Sequence, residues 1–269
     1  MKDVHNYLDK RGIEIAQCGI TNLKLPLRLK DRGGEQMVTA DAEMSVNLCP
    51  EKKGAHMSRF IELSQSVGGS VLSNCFLENS VKKIKERLDS KYAKIKFSFI
   101  YFLNKKTPVT NLKCQTDYFC EVTSEIDDGI IKHTLKVEIP ITTLCPCSKV
   151  ISAHAGHNQR AKIILLVLSE KFIDIEKFIR SVEKNICGEI YSLLKRPDEK
   201  FVTDRAYNNP MFVEDVVREI ALFLENKKRT STIYHYKVTC KSYESVHNHN
   251  VSAEIGNKNM FFEKKRRGK

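Results

Sequence analysis

The sequence predicts an α+β fold built from antiparallel sheets with helices on one face. Some segments alternate apolar and polar residues with period two, as strands do, and others carry apolar residues at helical spacing. Each half of the chain runs in the order strand, strand, helix, helix, strand, strand, which indicates an internal duplication. We therefore expect two modules, residues 1–128 and residues 129–269.

In the first half, strand-like sequence lies on both sides of a helical stretch. Residues 59–89 are typical of two helices that are broken near Gly68 and Gly69. An Asp-Asp-Gly turn follows the last strand of this half. The strands are predicted over residues 36–48, 93–103 and 114–126.

The second half repeats this order. Apolar residues from Ile175 to Leu194 fall on one helical stripe, which Pro197 is expected to end. A second helical stripe follows Pro210. The strands are predicted over residues 130–144, 231–244 and 246–255.

Composition narrows the class of protein. Hydrophobic residues make up 41% of the 269, which is enough for a packed core, and no apolar run is long enough to cross a membrane. Because the start lacks an apolar signal core, we expect a soluble, cytoplasmic protein without a membrane partner. The net charge of +12 indicates an anionic partner. The lysines are spread along the chain, so a small phosphorylated ligand is favoured over nucleic acid.

Two of the nine cysteines stand apart from the rest. In a reducing compartment the nine do not form a disulfide framework, and the seven single cysteines are expected to be mostly buried hydrophobic residues. Cys145 and Cys147 instead form a pair in a polar loop, followed by His154 and His157. Thiolate and imidazole suit zinc or a similar divalent metal, so the loop predicts either a catalytic metal site or two inert thiols. A purely structural zinc is disfavoured, because no second cysteine pair accompanies this one.

His157 is favoured over His154 because its surroundings repeat an earlier motif. Both halves contain Leu-Cys-Pro, a polar loop, a glycine and then His-x-x-Arg, which ends at Arg59 in the first half and at Arg160 in the second. His154 has no counterpart in the first half and is interpreted as a solvent-facing loop residue.

Two glutamates each leave two interpretations open. Glu199, with Asp198 beside it, follows the predicted helix end and is either a surface charge or a metal ligand. Glu214 lies in the first turn of the helix after Pro210. It either complements the helix dipole or binds a partner with two adjacent N–H donors, such as the edge of guanine.

A third group lies near the carboxyl end. Glu244, His247 and His249 crowd into six positions, and on a strand the two histidines would share a face. A carboxylate beside histidines suits general acid–base chemistry near neutral pH.

Five motifs together resemble those of the type IB GTP cyclohydrolases, in family order over nearly the whole chain. They are KGAHMSRF, LCPCSK, GHNQR, LLKRPDEKFVTDRAYNNPMFVEDVVRE and ESVHNHN. The resemblance implies a tunnelling fold (T-fold) duplicated within one chain. It also implies a homo-oligomer, expected to be a tetramer, with active sites at module or subunit interfaces. The implied reaction is hydrolysis of GTP to 7,8-dihydroneopterin triphosphate and formate, the entry step to tetrahydrofolate and, in many bacteria, to queuosine.

The same resemblance assigns roles to the candidate residues. The expected ligands of a divalent metal, which is zinc, manganese or iron, are Cys145, His157 and Glu199. The expected carboxylate for the guanine edge is Glu214. The expected catalytic residues are Cys147, Glu244, His247 and His249. The C-terminal module therefore carries most of the metal and acid–base residues.

The triphosphate of GTP requires hydrogen-bond donors and positive charge, which guanidinium and ammonium groups supply. The candidates are His56, Ser58, Arg59, Lys149 and Arg160. A buried structural role for the arginine of the repeated turn is an equal alternative.

Two other functions compete with this interpretation. A nitrile oxidoreductase of the queuosine pathway, on the same fold, would need a nucleophilic cysteine and a nicotinamide cofactor but no metal, and Glu199 and the His-Asn-His motif speak against it. A basic RNA-binding protein with structural zinc would need a second cysteine knuckle or an aromatic-rich segment, and the sequence has neither.

Overall fold

The computed structural model describes residue 5, residues 7–230 and residues 232–256. The basic run that ends the sequence, residues 257–269, lies outside the described residues. The architecture is α+β with antiparallel strand pairing, as the sequence predicts. None of the described helices is long and apolar enough to cross a membrane.

The described part of the chain forms nine strands and six helices. In chain order they are β1 (Ile15–Asp31), β2 (Gly34–Leu48), α1 (Met57–Val67), α2 (Asn74–Arg87), β3 (Tyr92–Lys106), β4 (Lys113–Asp127), β5 (Ile130–Leu144), α3 (Pro146–Ile151), β6 (Asn158–Ser169), α4 (Ile175–Glu183), β7 (Gly188–Glu189), α5 (Arg196–Asn208), α6 (Val213–Thr230), β8 (Ile233–Ser242) and β9 (Val251–Gly256).

The chain divides into two compact units, and the boundary crosses strands β3, β4 and β5. The first unit consists of Met1–Ile100, Cys120–Thr134 and Glu170–Phe172. The second consists of Tyr101–Phe119, Leu135–Ser169 and Ile173–Lys269.

The first unit is built on a long antiparallel hairpin of β1 and β2. Asp31 lies opposite Gly34, so a two-residue turn closes the hairpin, and Gly34 has φ +123°, a conformation that favours glycine. Near the start of β1, a Cβ atom on Gly19 would lie 1.9 Å from the carbonyl oxygen of Met44, so no larger residue fits there. Within this unit the strand order is β1-β2-β3-β4-β5.

Helices α1 and α2 follow the hairpin, and they confirm the predicted pair broken by glycines. Helix α1 ends at Val67. Gly69, at φ +74°, turns the chain after the helix, and the N–H of Gly69 donates to the carbonyl of Pro26 at 2.7 Å. Helix α2 begins where the Ser73 hydroxyl accepts a hydrogen bond from the N–H of Phe76. The buried side chains of these helices are Phe60, Val67, Leu77, Val81 and Ile84, each of which stabilises the unit by roughly 1.5–3 kcal/mol.

The second unit has the strand order β3-β4-β5-β6-β8-β9, and β7 pairs with β5 outside this path. Strands β6 and β8 are antiparallel, with Ala161 opposite Ser242. Helix α6 packs against β8 and β9. The side chains that α6 buries are Val213, Val216, Val217, Ile220, Ala221 and Leu224, which confirms the predicted apolar stripe after Pro210.

The helix predicted from Ile175 to Leu194 is wrong in its second half. Helix α4 ends at Glu183, and the chain then forms β7, in which Gly188 lies opposite Thr142 of β5. A Cβ atom on Gly188 would lie 2.5 Å from the Thr142 side chain, so glycine permits this pairing. Pro197 does not end a helix but occupies the first turn of α5, where its missing N–H leaves no hydrogen bond unmade.

Candidate active site

The cysteine pair lies where strand β5 passes into the short helix α3. Cys145 precedes the helix, and its sulfur accepts a hydrogen bond from the N–H of Ser148 at 3.4 Å. The Cys145 thiol is partly exposed and that of Cys147, inside the helix, is exposed. All nine cysteines are free. Of the seven single ones, which were expected to be nearly all buried, four are: Cys114, Cys120, Cys187 and Cys240; Cys18 and Cys49 are half-buried and Cys75 is exposed.

The loop after α3 folds back so that His157 lies beside Cys145. The N–H of Cys145 donates to the carbonyl of His157 at 3.1 Å. The Ser148 hydroxyl joins the same two residues, because it accepts from the N–H of His157 at 3.0 Å and donates to the carbonyl of Cys145 at 3.1 Å. Gly156 permits this approach, since a Cβ atom there would lie 2.9 Å from the Ser148 hydroxyl and 3.0 Å from the Cys145 carbonyl.

Gln159 fixes the ring of His157. The Gln159 amide nitrogen donates to the hydroxyl of Thr143 at 3.3 Å, which leaves its oxygen to accept from His157 Nδ1 at 2.9 Å. With the proton on Nδ1, Nε2 has a lone pair for a ligand, which is the usual arrangement of a metal-binding histidine. A thiol and an oriented imidazole fit a divalent metal of the zinc type. The sequence-based prediction missed Gln159, although residues two apart on a strand share a face.

The segment with the predicted acid–base residues runs past His157. The N–H of Tyr243 donates to the carbonyl of Arg160 at 2.9 Å, which extends the pairing of β6 with β8 by one residue. The Ser245 hydroxyl lies 3.4 Å from Nδ1 of His157. The Glu244 carboxylate accepts a hydrogen bond from the Ser242 hydroxyl at 2.8 Å. Ser245 thereby lies next to His157, and Glu244 precedes it in the chain.

His247 and His249 do not lie on a strand, so that part of the prediction is wrong. Residues 245–249 form bends, and β9 begins only at Val251. The two exposed imidazole rings nevertheless stack, with centroids 5.1 Å apart and ring planes 18° from parallel. A loop thus brings the rings together, although the shared face of a strand was expected to do so.

Helix α5 carries Glu199 in its first turn, where the side chain is exposed. Among the residues that the structure describes, no three His, Cys, Asp or Glu side chains lie together closely enough to hold a metal ion, so Glu199 does not join Cys145 and His157. Asp198 is neither a surface charge nor a free ligand, because it is fully buried and hydrogen bonded. Burial alone would raise the pKa of Asp198, but hydrogen bonds from Thr110, Lys195 and Val109 outweigh it and hold the pKa below its usual range.

Lys149, Arg160 and Glu214 lie in the same unit. The Lys149 ammonium donates to the carbonyl of Tyr207 at 2.6 Å and lies 4.2 Å from the centre of its ring, which links α3 to the last turn of α5. Arg160 is exposed on β6. Glu214 is exposed in the first turn of α6, and its charge adds to the effect of burial that raises the pKa of Cys240 to about 12.

The first unit contains its own cavity, of about 560 Å³, at the earlier copy of the motif. Its lining includes Cys49, Lys52, His56 and Arg59. Lys52 forms an ion pair with Asp89 at 2.8 Å, and the Arg59 guanidinium donates to the carbonyl of Arg87 at 3.1 Å. Ser58 is exposed on the first turn of α1.

A buried group of charges in the second unit gave no signal in the sequence. The Lys105 ammonium lies 2.9 Å from Glu183 and 2.8 Å from Glu189, and Arg205 of α5 contacts Glu189 at 3.1 Å. Burial raises the pKa of Glu183, against the opposing effect of Lys105. Burial also opposes ionisation of Glu189, but Lys105 and Arg205 outweigh it and lower its pKa. These pairs join β3, α4, β7 and α5 through side chains that lie far apart in the sequence.

Comparisons with known proteins bear on this site. Residues 1–253 match the family described as type I GTP cyclohydrolase folE2. A protein named GTP cyclohydrolase FolE2 from Magnetococcus marinus is 41% identical over 257 residues, which are 95% of each chain. Proteins with the same name from Halorhodospira halophila and Neisseria gonorrhoeae are each 42% identical. These two alignments cover 95% and 94% of this chain and 97% of each relative.

Two solved structures with a similar fold are uricases. A hyper-thermostable uricase mutant has a TM-score of 0.54 with 9% sequence identity and covers 94% of each chain. The uricase of Arthrobacter globiformis has a TM-score of 0.50 with 9% identity over 90% of this chain and 94% of its own. At this identity the likeness concerns the fold alone, which is that of the tunnelling-fold proteins.

Proposed function

The chain belongs to the FolE2 family of type I GTP cyclohydrolases and is a GTP cyclohydrolase of type IB, and we propose that it hydrolyses GTP to 7,8-dihydroneopterin triphosphate and formate. The observation that carries this proposal is the junction of Cys145 and His157, with Nε2 of the imidazole left as an acceptor by Gln159. The product would serve tetrahydrofolate and, as a second outlet, queuosine synthesis in the cytoplasm.

Cys145, His157 and Glu199 are the proposed ligands of a divalent metal, which is zinc, manganese or iron. A metal bound there would lower the pKa of a water molecule toward neutrality and so supply a nucleophile for C8 of guanine. Cys145 offers a partly exposed thiol and His157 an oriented ring nitrogen. Glu199 offers an exposed carboxylate on α5, the helix that Lys149 links to α3.

The remaining proposed residues transfer protons or bind the guanine ring of the substrate. Glu244, His247 and His249 are proposed to hold and move the protons that a guanine ring nitrogen takes up as its bond to C8 breaks. Their segment lies against His157 through the Ser245 hydroxyl, which supports this role. Glu214 is proposed to accept the two N–H groups of the guanine edge, and Cys147 to contact the substrate or pass on a proton.

Each of the two units contains proposed candidates for contacts to the triphosphate, and the two groups are given separately. His56, Ser58 and Arg59 lie at or beside the cavity of the first unit, and Lys149 and Arg160 lie near the Cys145 loop. We further propose a T-fold module duplicated at residues 1–128 and 129–269, and assembly of the chain into a homotetramer. Neighbouring strands open each half, β1 and β2 in the first and β5 and β6 in the second, where the short helix α3 separates them along the chain; this similarity supports the duplication.

A direct assay tests the function. The purified chain is treated with a chelator and incubated with GTP, with or without Zn²⁺, Mn²⁺ or Fe²⁺, and formate and oxidised, fluorescent pterin are measured. We expect both products only when metal is restored, because the thiol and imidazole ligands need a cation to activate water. Equal formate release by the metal-free protein, or no pterin with any of the three metals, would contradict the proposal.

A further inference from the structure

Lys105 is a buried lysine whose ammonium group is matched by three acceptors. It lies near the end of β3, and its side chain is only 3% exposed. Its nitrogen lies 2.9 Å from a carboxylate oxygen of Glu183, 2.8 Å from one of Glu189 and 3.4 Å from the carbonyl oxygen of Ile190. An ammonium group has three N–H donors, so these three acceptors can satisfy all of them. The first acceptor belongs to α4, and the other two belong to β7 and the residue after it.

The two carboxylates have further partners in the same unit. The Tyr118 hydroxyl donates to Glu183, and the Arg205 guanidinium donates to Glu189 at 3.1 Å. The Tyr191 hydroxyl also donates to Glu189 at 3.1 Å, and the centre of its ring lies 4.5 Å from the lysine nitrogen. Buried charges are costly unless they are paired and hydrogen bonded. This group of side chains is therefore favourable only when all of its members occupy these positions.

The contacts of Lys105 with Glu183 and Glu189 are incompatible with a longer helix α4. In a helix, residues six positions apart lie about 9 Å apart along the axis and about 120° apart around it, so one ammonium group could not contact both carboxylates. Apolar residues nevertheless continue at helical spacing beyond the end of α4, as far as Leu194. Residues 184–194 therefore have two competing local structures, and the contacts of Lys105 fit only the observed one.

In the observed structure, this segment lies against the end of β5. Gly188 lies opposite Thr142 of that strand. Cys187 is fully buried in a small apolar cluster with Leu144 and Ala206. Strand β7 has only two residues, so its pairing with β5 needs other contacts to persist. The contacts of Lys105 with the same segment supply them.

We propose that Lys105 is a conformational lock that holds residues 184–191 against the end of β5 and opposes their tendency to continue helix α4. We name residues 184–191 the strap. The lock consists of one buried cation that joins α4 to β7, because the carboxylates of Glu183 and Glu189 both reach it only when the chain leaves the helix after Glu183. It is a property of the fold of the second unit and does not depend on the proposed function.

Alkylation of Cys187 tests the proposal, because this thiol is buried by the strap's position against β5. The full chain is treated with iodoacetamide under native conditions, and peptide mass spectrometry follows the modification of each cysteine. In Lys105→Met we expect Cys187 to react roughly 100-fold faster or more than in the wild type, since removing one partner of a buried ion pair is strongly destabilising. Far-ultraviolet circular dichroism should show no loss of helix, because the released strap favours a helix.

Two controls accompany this variant. Cys240 of β8, which is also fully buried, should stay unreactive, and this separates release of the strap from unfolding of the whole unit. Lys106→Met alters the exposed neighbour of Lys105 on the same strand and should leave Cys187 unreactive. Equal gains in reactivity at Cys187 and Cys240, or a loss of helix in Lys105→Met, would reduce Lys105 to a general stabilising residue and overturn the proposal.

A double variant separates the lock from a simple imbalance of charge. Lys105→Met combined with Glu183→Gln leaves Glu189 paired with Arg205, so the buried charges balance again while the link between α4 and β7 stays broken. We expect Cys187 to remain reactive in this variant. If Cys187 is protected again, an unpaired carboxylate explains the single variant and there is no lock.

The remaining outcomes also decide the question. If Cys187 of Lys105→Met is as unreactive as in the wild type, pairing with β5 alone holds the strap and the proposal fails. Should Lys105→Met not fold, Glu189→Met removes one of the two carboxylates and leaves the contact between Lys105 and Glu183. We expect faster alkylation of Cys187 in that variant as well, and an unreactive Cys187 there would equally overturn the proposal.

Discussion

The two Leu-Cys-Pro segments share a sequence pattern but not a local structure. The segment at Cys49 joins strand β2 to helix α1, whereas the segment at Cys145 joins strands β5 and β6 through α3. His56 therefore stands immediately before a helix and His157 immediately before a strand. The pattern is the same in the two units, but the element that follows each histidine is different.

This difference decides what each histidine can do. On the strand side, Gln159 two residues later shares a face with His157 and orients its ring. On the helix side, His56 directly precedes α1, and its ring lies 5.0 Å from that of His5 at the edge of a cavity. A repeated motif thus supplies ligand-type residues twice, and at His157 the strand that follows also supplies Gln159, which orients the imidazole.

The largest expected effect separates the two cysteines. Cys145→Ala should abolish stoichiometric metal binding and lower formate release by roughly 1,000-fold or more, because a directly bound ligand is removed. Cys49→Ala is the matched control and should retain both the metal and the activity. Metal content after gel filtration and formate release from GTP are the measurements. Loss of metal from Cys49→Ala, or a fully loaded Cys145→Ala, would reverse the roles of the two segments.

A second contrast uses the glycine of each motif. In Gly156→Ala the new Cβ atom meets Leu144, Cys145 and Ser148 atoms at 2.9–3.0 Å, two of them in the loop that joins Cys145 to His157. We expect this overpacking to cost roughly 1–3 kcal/mol of unfolding free energy and to weaken Mn²⁺ binding about tenfold. In Gly54→Ala the close atom, at 3.1 Å, belongs to the side chain of His5, and no backbone atom lies within 4 Å of the new Cβ.

Urea unfolding and Mn²⁺ titration measure both glycine variants. For Gly54→Ala we expect a change in unfolding free energy of less than about 1 kcal/mol and no change in Mn²⁺ affinity. Equal losses of metal affinity in the two variants would show that the close approach at Gly156 has no special part in placing the ligands.

The sequence predicted elements well where one local signal dominates. The glycine pair between α1 and α2, and the apolar stripe of α6, each decide a helix without help from distant residues. The predicted helix to Leu194 failed because pairing of Gly188 with Thr142 outweighs the continued apolar stripe. That contact joins residues 46 positions apart, and helical periodicity carries no information about it.

The residues in and around the candidate site also fall into those that the sequence could predict and those that it could not. Residue type and spacing predict a metal site or two inert thiols in the loop after β5. The repeated motif favours His157, and the choice of Cys145 as a ligand comes from the family resemblance. The burial of Asp198 could not be predicted, since its three donors on the β3–β4 connection lie almost ninety residues earlier in the chain. The buried Lys105 group is hidden for the same reason, as charged residues in a sequence are ordinarily assigned to the surface.

The smallest expected effect concerns the arginine that ends each motif. Arg59→Met and Arg160→Met should each raise KM for GTP by roughly tenfold and leave kcat within about twofold, because contacts to the triphosphate are the same in the ground and transition states. Arg218→Met, at an exposed arginine of α6 that pairs with Asp215, is the control and should change neither value.

Arg59 and Arg160 differ in their contacts with the rest of the protein. Arg59 also donates to the carbonyl of Arg87, so its alternative role is to hold α1 against the end of α2, whereas Arg160 is exposed. Thermal unfolding separates these roles. If Arg59→Met lowers the melting temperature while KM stays normal, the first motif stabilises its own unit and only the second contacts GTP. If KM rises in both variants, both arginines contribute to GTP binding although their local structures differ.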